Sequence, residues 1–172
     1  MNYHTLNGEG TGYLEYRRDL LKDCPQMAQE GRYYHLGIDV AAPSGTSLYA
    51  PSDAEIVVSE YEAGAWNYGG VVVLRMGNQY VLFGHLNPET LLSVGTMLLK
   101  GQKFAELGDE SCNGGWFEHL HLQVLTQRGM DEGWMHKGYC SAADLPEMPL
   151  LCPDPAFIFD EQVMDKSVQD SI

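Results

Sequence analysis

Positive charge is scarce in this sequence: ten lysines and arginines stand against twenty-four acids among 172 residues. The formal net charge is −14, and the few basic side chains form no stripe along which a phosphate backbone could lie. Nucleic acid is therefore excluded as an expected partner.

Long apolar runs are absent as well. No stretch approaches the roughly 20 residues that span a bilayer, and residues 1–12 lack the positive start and apolar centre of a signal peptide. We expect no transmembrane segment and a cytoplasmic protein as the sequence is written, or a periplasmic or extracellular one if a leader has been removed. With 44% hydrophobic residues the chain has the balance of a single domain over residues 1–172, whose oligomeric state the sequence leaves open.

Closely spaced cysteines are also missing. The four cysteines are too scattered for a thiolate zinc site or a redox motif. We predict free thiols, because a chain this long buries enough apolar surface to fold without disulfides, which are the alternative for an exported protein. The residues concerned are Cys24, Cys112, Cys140 and Cys152.

Short apolar runs punctuated by glycine, proline and asparagine begin at Leu48, and such runs are typical of β-strands. Gly77 and Asn78 join residues 71–76 to residues 79–83, and a two-residue link of this kind closes a tight hairpin because both residues tolerate positive φ. The pattern predicts an all-β protein built of antiparallel sheets, with helix confined mainly to the first thirty residues and to short turns.

The two ends of the chain differ in composition. Residues 11–24 mix leucine and tyrosine with charged residues at a spacing that predicts an amphipathic helix, within a peripheral helical segment, 1–34. Residues 144–172 form an acidic tail. We expect this tail to supply no ligand and, after Glu161, little stability, because single apolar residues alternate with charges there.

Histidines occur in two arrangements that suit a metal site. His119 and His121 stand two apart in a strand-like run, and residues i and i+2 of a strand share one face about 6.6 Å apart. His35 and Asp39 stand four apart. Imidazole and carboxylate are ligands that zinc takes besides thiolate. Each segment alone is weak evidence for a metal, but the two together favour one.

The spacing of His35 and Asp39 also predicts a bend. A fully extended chain would separate their Cα atoms by about 13 Å, too far for two ligands of one ion, so the chain must turn between them. Gly37 is the residue where it can turn. Of the other three histidines, His85 ends the predicted hairpin, whereas His4 and His136 have no companions and are expected at the surface.

These residues resemble the lysostaphin-type (LytM-like) zinc metallopeptidases, which cleave short bridges or cross-links in bacterial peptidoglycan. The resemblance covers about residues 35–124 and implies antiparallel β-sheets, of the duplicated hybrid motif kind, with a groove over the metal. The matching motifs are, in order, His35-Leu-Gly-Ile-Asp39-Val-Ala-Ala-Pro43-Ser-Gly45-Thr46, Ala50-Pro-Ser-Asp53, Gly84-His85-Leu86, Val94-Gly95, Lys100-Gly-Gln102, Leu107-Gly108 and His119-Leu-His121-Leu-Gln-Val124.

The resemblance also implies a role for each residue of the site. Zinc (Zn²⁺) would be bound by His35, Asp39 and His121. His85 and His119 would be the catalytic histidines that orient and deprotonate water and stabilise the oxyanion. Three protein ligands leave one position open on zinc, as catalytic zinc sites require. We expect no catalytic part for Glu118, the neighbour of His119, because strand parity turns it to the opposite face.

One stretch departs from the family pattern. Residues 113–118 replace the small residues usual ahead of the histidine pair, and together with the long tail they more loosely resemble a branch in which a peptidase-like domain is appended to an aminotransferase-containing protein. Within this stretch, Trp116 and Phe117 could either floor a substrate groove or pack beneath a loop.

Two functions follow. The favoured one is a zinc-dependent hydrolase of peptide bonds, similar to a peptidoglycan endopeptidase, with a peptide or peptidoglycan-like substrate. The alternative is a non-catalytic zinc-containing module that binds a ligand or partner, accessory to a cytoplasmic aminotransferase-type enzyme. The complete set of His85, His119 and the three ligands favours the hydrolase.

Overall fold

Antiparallel strands in three sheets form the centre of the protein. The computed structural model describes residues 12–170, and at positions 159 and 160 it describes only the backbone. The strands are β1 (Tyr34–His35), β2 (Ile38–Ala41), β3 (Ser47–Tyr49), β4 (Ala54–Glu62), β5 (Gly69–Met76), β6 (Gln79–Leu86), β7 (Met97–Leu98), β8 (Lys103–Glu106), β9 (His119–Leu125) and β10 (Tyr139–Cys140). The main sheet has the order β2-β9-β6-β5-β4-β7, while β1 pairs with β10 and β3 with β8.

The helices are short, in agreement with the predicted all-β class. They are α1 (Arg18–Leu21), α2 (Pro25–Glu30), α3 (Gln127–Asp131), α4 (Met148–Leu151) and α5 (Lys166–Gln169), with 3-10 turns at Pro88–Thr90, Trp134–His136 and Pro155–Asp160. None of the helices in residues 12–170 is long and apolar enough to cross a membrane. The four cysteines are free thiols, as predicted.

The predicted hairpin is present, with Gly77 at φ +59° in the turn between β5 and β6. Both faces of these strands are covered: Val72 belongs to one buried apolar cluster and Val71 to another on the opposite face. Double coverage explains why the strand reads as a continuous apolar run. The hairpin places His85 near the end of β6.

The amino-terminal segment is less helical than predicted. Within residues 12–24, only α1 is helical, and Leu14 has φ +57°, which no right-handed helix accepts. Residues 14–17 instead run antiparallel to residues 33–35: the amide of His35 donates to the carbonyl of Glu15 at 3.0 Å, and that of Arg17 donates to the carbonyl of Tyr33 at 2.8 Å. Pairing with the free edge of β1 overrides the local helical pattern.

The tail packs onto the domain, and the expectation of little stability after Glu161 is wrong. Val163 and Met164 are fully buried, and Met164 forms a β-bridge with Leu48. The Asp165 carboxylate accepts the Ser47 amide at 2.9 Å. The reason is that β3 has an open edge, and a few apolar residues are enough to cover it even within a charged segment.

Candidate metal centre

Three buried side chains converge on one point. The Nε2 atom of His35 lies 3.2 Å from Oδ1 of Asp39, Nδ1 of His121 lies 3.0 Å from the same oxygen, and the two nitrogens are 3.1 Å apart. Tetrahedral ligands at about 2.0–2.2 Å from a zinc ion lie about 3.3–3.5 Å from one another. The donor types and their spacing therefore fit a metal ion with little adjustment.

The backbone explains this convergence. The chain bends at Gly37 between β1, which ends at His35, and β2, which carries Asp39. In the register of β2 and β9, Asp39 lies directly opposite His121. A Cβ atom on Gly37 would stand 2.6 Å from Cε1 of His121 and 2.6 Å from the carbonyl oxygen of Leu122. Glycine is therefore needed at this bend because a side chain would collide with its neighbours.

Hydrogen bonds to the outer ring nitrogens orient the two imidazoles. Nδ1 of His35 donates to the Gly12 carbonyl at 3.0 Å, and Nε2 of His121 donates to Oε1 of Gln123 at 3.1 Å. The Gln123 amide nitrogen faces the carbonyls of Trp134 and Lys137 at 3.3 Å, so its oxygen must face the imidazole. Both histidines thus carry their lone pairs on the inward nitrogens, as metal ligands do.

Arg17 completes the surroundings of the carboxylate. Its Nη1 donates to Oδ2 of Asp39 at 2.5 Å, and its Nε donates to Glu15 at 2.7 Å. The Arg17 side chain is only 1% exposed. Sequence reasoning missed it, since nothing in the pair Arg17-Arg18 tells which of the two is buried. Gln123 was missed too, although it continues the i, i+2 alternation of His119 and His121.

His85 and His119 lie side by side beside these residues, with ring centroids 4.3 Å apart. Nδ1 of His85 donates to the Asn113 carbonyl at 2.9 Å, and Nδ1 of His119 donates to the Phe117 carbonyl at 2.7 Å. Since the outer nitrogens carry the protons, each Nε2 atom keeps a lone pair. The structure thus brings together all five residues singled out in the sequence.

Burial sets the protonation of this cluster. It lowers the pKa of His35 to about 4, that of His85 well below its usual range, and that of His119 below its usual value. Burial opposes ionisation of Asp39, but the electrostatic interactions with His35 and His119 hold its carboxyl pKa well below the usual range. At neutral pH these three histidines are therefore neutral and Asp39 is a carboxylate.

The backbone at His85 has φ +65°, a left-handed conformation that is uncommon outside glycine. It is held by two hydrogen bonds of 2.9 Å, from the His85 amide to the Tyr68 carbonyl and from the Gly108 amide to the His85 carbonyl. Strained residues of this kind gather at functional sites when the surroundings over-determine them.

A groove opens over Asp39, His85, His119 and His121. For the two aromatic residues, Trp116 and Phe117, both alternatives hold in part. Trp116 is buried to 8% exposure and donates its indole N–H to the Asn67 carbonyl at 3.1 Å, yet it also lines the groove. Phe117 lines it too and stacks on His119. The amino-terminal segment supplies part of the wall through Leu20, Gln26, Met27 and Arg32.

His136 and Glu118 lie outside the central cluster, as predicted. His136 is exposed, but it lies 3.1 Å from Glu62 and both residues line the groove. Glu118 accepts the Ser44 amide at 2.8 Å and belongs to neither the cluster nor the groove lining. His4 lies outside the described residues.

The part of the chain that holds the site is similar to known proteins. Residues 33–132 match the model of the family described as peptidase family M23. An uncharacterised metalloprotease of Haemophilus influenzae is 32% identical over 90 residues, 52% of this chain and 18% of the relative. The peptidoglycan DD-endopeptidase ShyA of Vibrio cholerae is 30% identical over 114 residues, 66% of this chain and 25% of the relative. The chain thus spans no more than about a quarter of the length of these curated relatives.

Among solved structures, the fold is similar to the catalytic domain of the antimicrobial peptidase lysostaphin from Staphylococcus simulans. The TM-score is 0.50 at 20% identity, over 67% of this chain and 80% of that one. The likeness agrees with the predicted lysostaphin-type arrangement of antiparallel sheets.

Proposed function

Because the chain belongs to peptidase family M23, we propose that it is a zinc-dependent hydrolase of peptide bonds whose substrate is a peptide cross-link of the peptidoglycan type. The observation that carries the proposal is the meeting of three inward-facing donor atoms with two further imidazoles at the base of one groove. The similarity to the peptidoglycan DD-endopeptidase of Vibrio cholerae supports the substrate class.

The ion would be held by Nε2 of His35, Oδ1 of Asp39 and Nδ1 of His121. When bound, zinc supplies a Lewis acid and lowers the pKa of water to near 7. The hydrogen bonds that fix the tautomers of His35 and His121 preorganise this site. Neither ring has to rotate or lose a proton to bind a cation.

Proton transfer is assigned to His119 and orientation of the attacking water to His85. Nε2 of His119 lies 3.5 Å from Oδ1 of Asp39, so the carboxylate stabilises positive charge on this imidazole. His119 is therefore suited to accept a proton from the attacking water and to give it to the leaving amine. His85, whose Nδ1 is fixed by Asn113, directs its Nε2 lone pair to orient that water.

The groove suits a peptide. Trp66 and Trp116 meet edge to face with centroids 5.1 Å apart and give it an apolar wall. His85 and His119 each keep a lone pair on Nε2 that can act on a proton or a water molecule. The non-catalytic alternative is therefore not favoured. The association with an aminotransferase-type protein stays a prediction.

The test is hydrolysis of purified peptidoglycan by the zinc-reconstituted protein, followed by the appearance of new amino groups and by chromatography of the released peptides. The His85→Ala variant should lose about 10²- to 10⁴-fold in rate. Glu118→Gln changes a side chain that contacts Ser44 and does not line the groove, so this variant should retain activity. Absence of turnover by the wild-type protein on peptidoglycan and on cross-linked peptides would refute the proposal.

A further inference from the structure

Arg32 stands on the groove wall that the amino-terminal segment supplies. The residue is only 9% exposed and lines the groove together with Met27 and Trp116. It precedes the region matched by the family model, which begins at residue 33. Any specificity that Arg32 confers would thus come from a part of the chain outside that match.

The guanidinium of Arg32 has few partners for a buried cation. Its Nε lies 2.7 Å from a carboxylate oxygen of Glu30, itself 54% exposed, but this ion pair lacks the direction of a hydrogen bond. Within residues 12–170, Glu30 is its one ionic contact. A guanidinium carries five N–H donors, and leaving buried donors unpaired is unfavourable. Among the described residues none accepts a hydrogen bond from its terminal Nη1 and Nη2 atoms, so these two nitrogens are the donors that can meet an acceptor from outside the chain.

The charged residues of the groove indicate which chemical group Arg32 can bind. Among the described residues that line the groove, Arg32 is the only lysine or arginine, whereas Asp39 and Glu62 are acids. Asp39 already has its cation in Arg17, so Arg32 is not required to neutralise it. A single guanidinium in a protein of net charge −14 suits one carboxylate rather than a polyanion. The planar fork of arginine matches a carboxylate with two parallel hydrogen bonds.

We infer that Arg32 binds a carboxylate of the peptide substrate and so determines which cross-links are accepted. The inference rests on the proposed function, because it places the substrate in the same groove as the catalytic histidines. It assigns specificity to the amino-terminal segment and leaves bond cleavage to the cluster at the groove base.

The test uses one synthetic cross-linked stem-peptide dimer in two forms, with its carboxyl groups free or converted to carboxamides. The wild-type protein should cleave the free-carboxyl dimer with a kcat/KM about 10- to 100-fold higher, as expected for a charged hydrogen bond. Arg32→Gln should lose this preference by becoming slower on the free-carboxyl dimer alone. Arg32→Lys should keep a smaller preference, because it retains the charge without the fork.

Arg18→Gln, the same change at an exposed position of α1, is the matched control and should retain the preference. Thermal melting of each variant separates loss of recognition from loss of fold. Equal slowing of Arg32→Gln on both dimers, or no preference in the wild-type protein, overturns the inference and leaves the proposed function standing.

Binding of the two dimers to the His85→Ala protein, with and without Arg32→Gln, is measured by titration calorimetry and separates recognition from turnover. If the wild-type protein cleaves neither dimer, the proposed function fails for these substrates, but tighter, Arg32-dependent binding of the free-carboxyl dimer still supports the inference. Equal binding of both dimers, or no binding of either, overturns it.

Discussion

Arg17 and Asp39 form a buried ion pair in which Nη1 lies 2.5 Å from Oδ2. The other carboxylate oxygen, Oδ1, faces three imidazoles at 3.0–3.5 Å. Because Oδ2 is hydrogen-bonded to Arg17, only Oδ1 is left to bind a metal. Asp39 is held as a one-oxygen ligand by a residue that lies 22 positions earlier in the chain.

Replacing Arg17 with methionine should destabilise the protein and weaken zinc binding together. Removing one partner of a buried ion pair typically costs about 3–5 kcal/mol, and losing a group that orients a ligand lowers metal affinity about 10- to 100-fold. Thermal melting and competition with a zinc chelator measure the two effects. Arg18→Met, at the exposed neighbour, should behave as wild type, and equal behaviour of both variants would contradict the role of Arg17.

The two histidines of β9 should differ when each is replaced by alanine. His121→Ala removes a proposed ligand, so zinc content and melting temperature should fall together. His119→Ala should keep zinc and lose about 10²- to 10⁴-fold in hydrolysis. Elemental analysis of the purified variants after zinc reconstitution decides between them: metal retained by the His121 variant and lost from the His119 variant would reverse the assignment.

Truncation after Glu161 should lower the melting temperature by about 10 °C. Burial of Val163 and Met164 contributes about 1.5–3 kcal/mol each, and each kcal/mol corresponds to about 2–4 °C in a domain of this size. Val163→Ala should reproduce part of the effect, whereas Leu150→Ala, which shortens an aliphatic side chain that is 62% exposed, should not. An unchanged melting temperature would mean that the tail does not pack in solution.

Gly37→Ala should abolish zinc binding although it changes no proposed ligand. The added methyl group would stand 2.6 Å from both the His121 ring and the Leu122 carbonyl, one of which is backbone and cannot yield easily. Zinc content and circular dichroism measure the result. A variant that binds one zinc per chain with unchanged affinity would show that the bend has room for a side chain.

The sequence was informative where a residue's role depends on its neighbours along the chain. Alternation on β9 placed His119 and His121 on one face, and Gly77-Asn78 located the hairpin. Arg17 and Arg32 could not be found this way, because their burial depends on contacts with distant residues. The part of the tail after Glu161 was misjudged for the same reason, since the buried Val163 and Met164 cover a strand edge more than a hundred positions away in the chain.

The segment that carries Gly12 and Arg17 reaches the centre at two points, one on His35 and one on Asp39. Docking of this segment and binding of an ion therefore stabilise each other, since each orients groups that the other requires. Chelation should make the bonds of residues 12–24 more susceptible to proteolysis, and a cut there should in turn raise the rate of zinc release. The amino-terminal segment would thus slow the release of a bound ion, in addition to forming part of the groove wall.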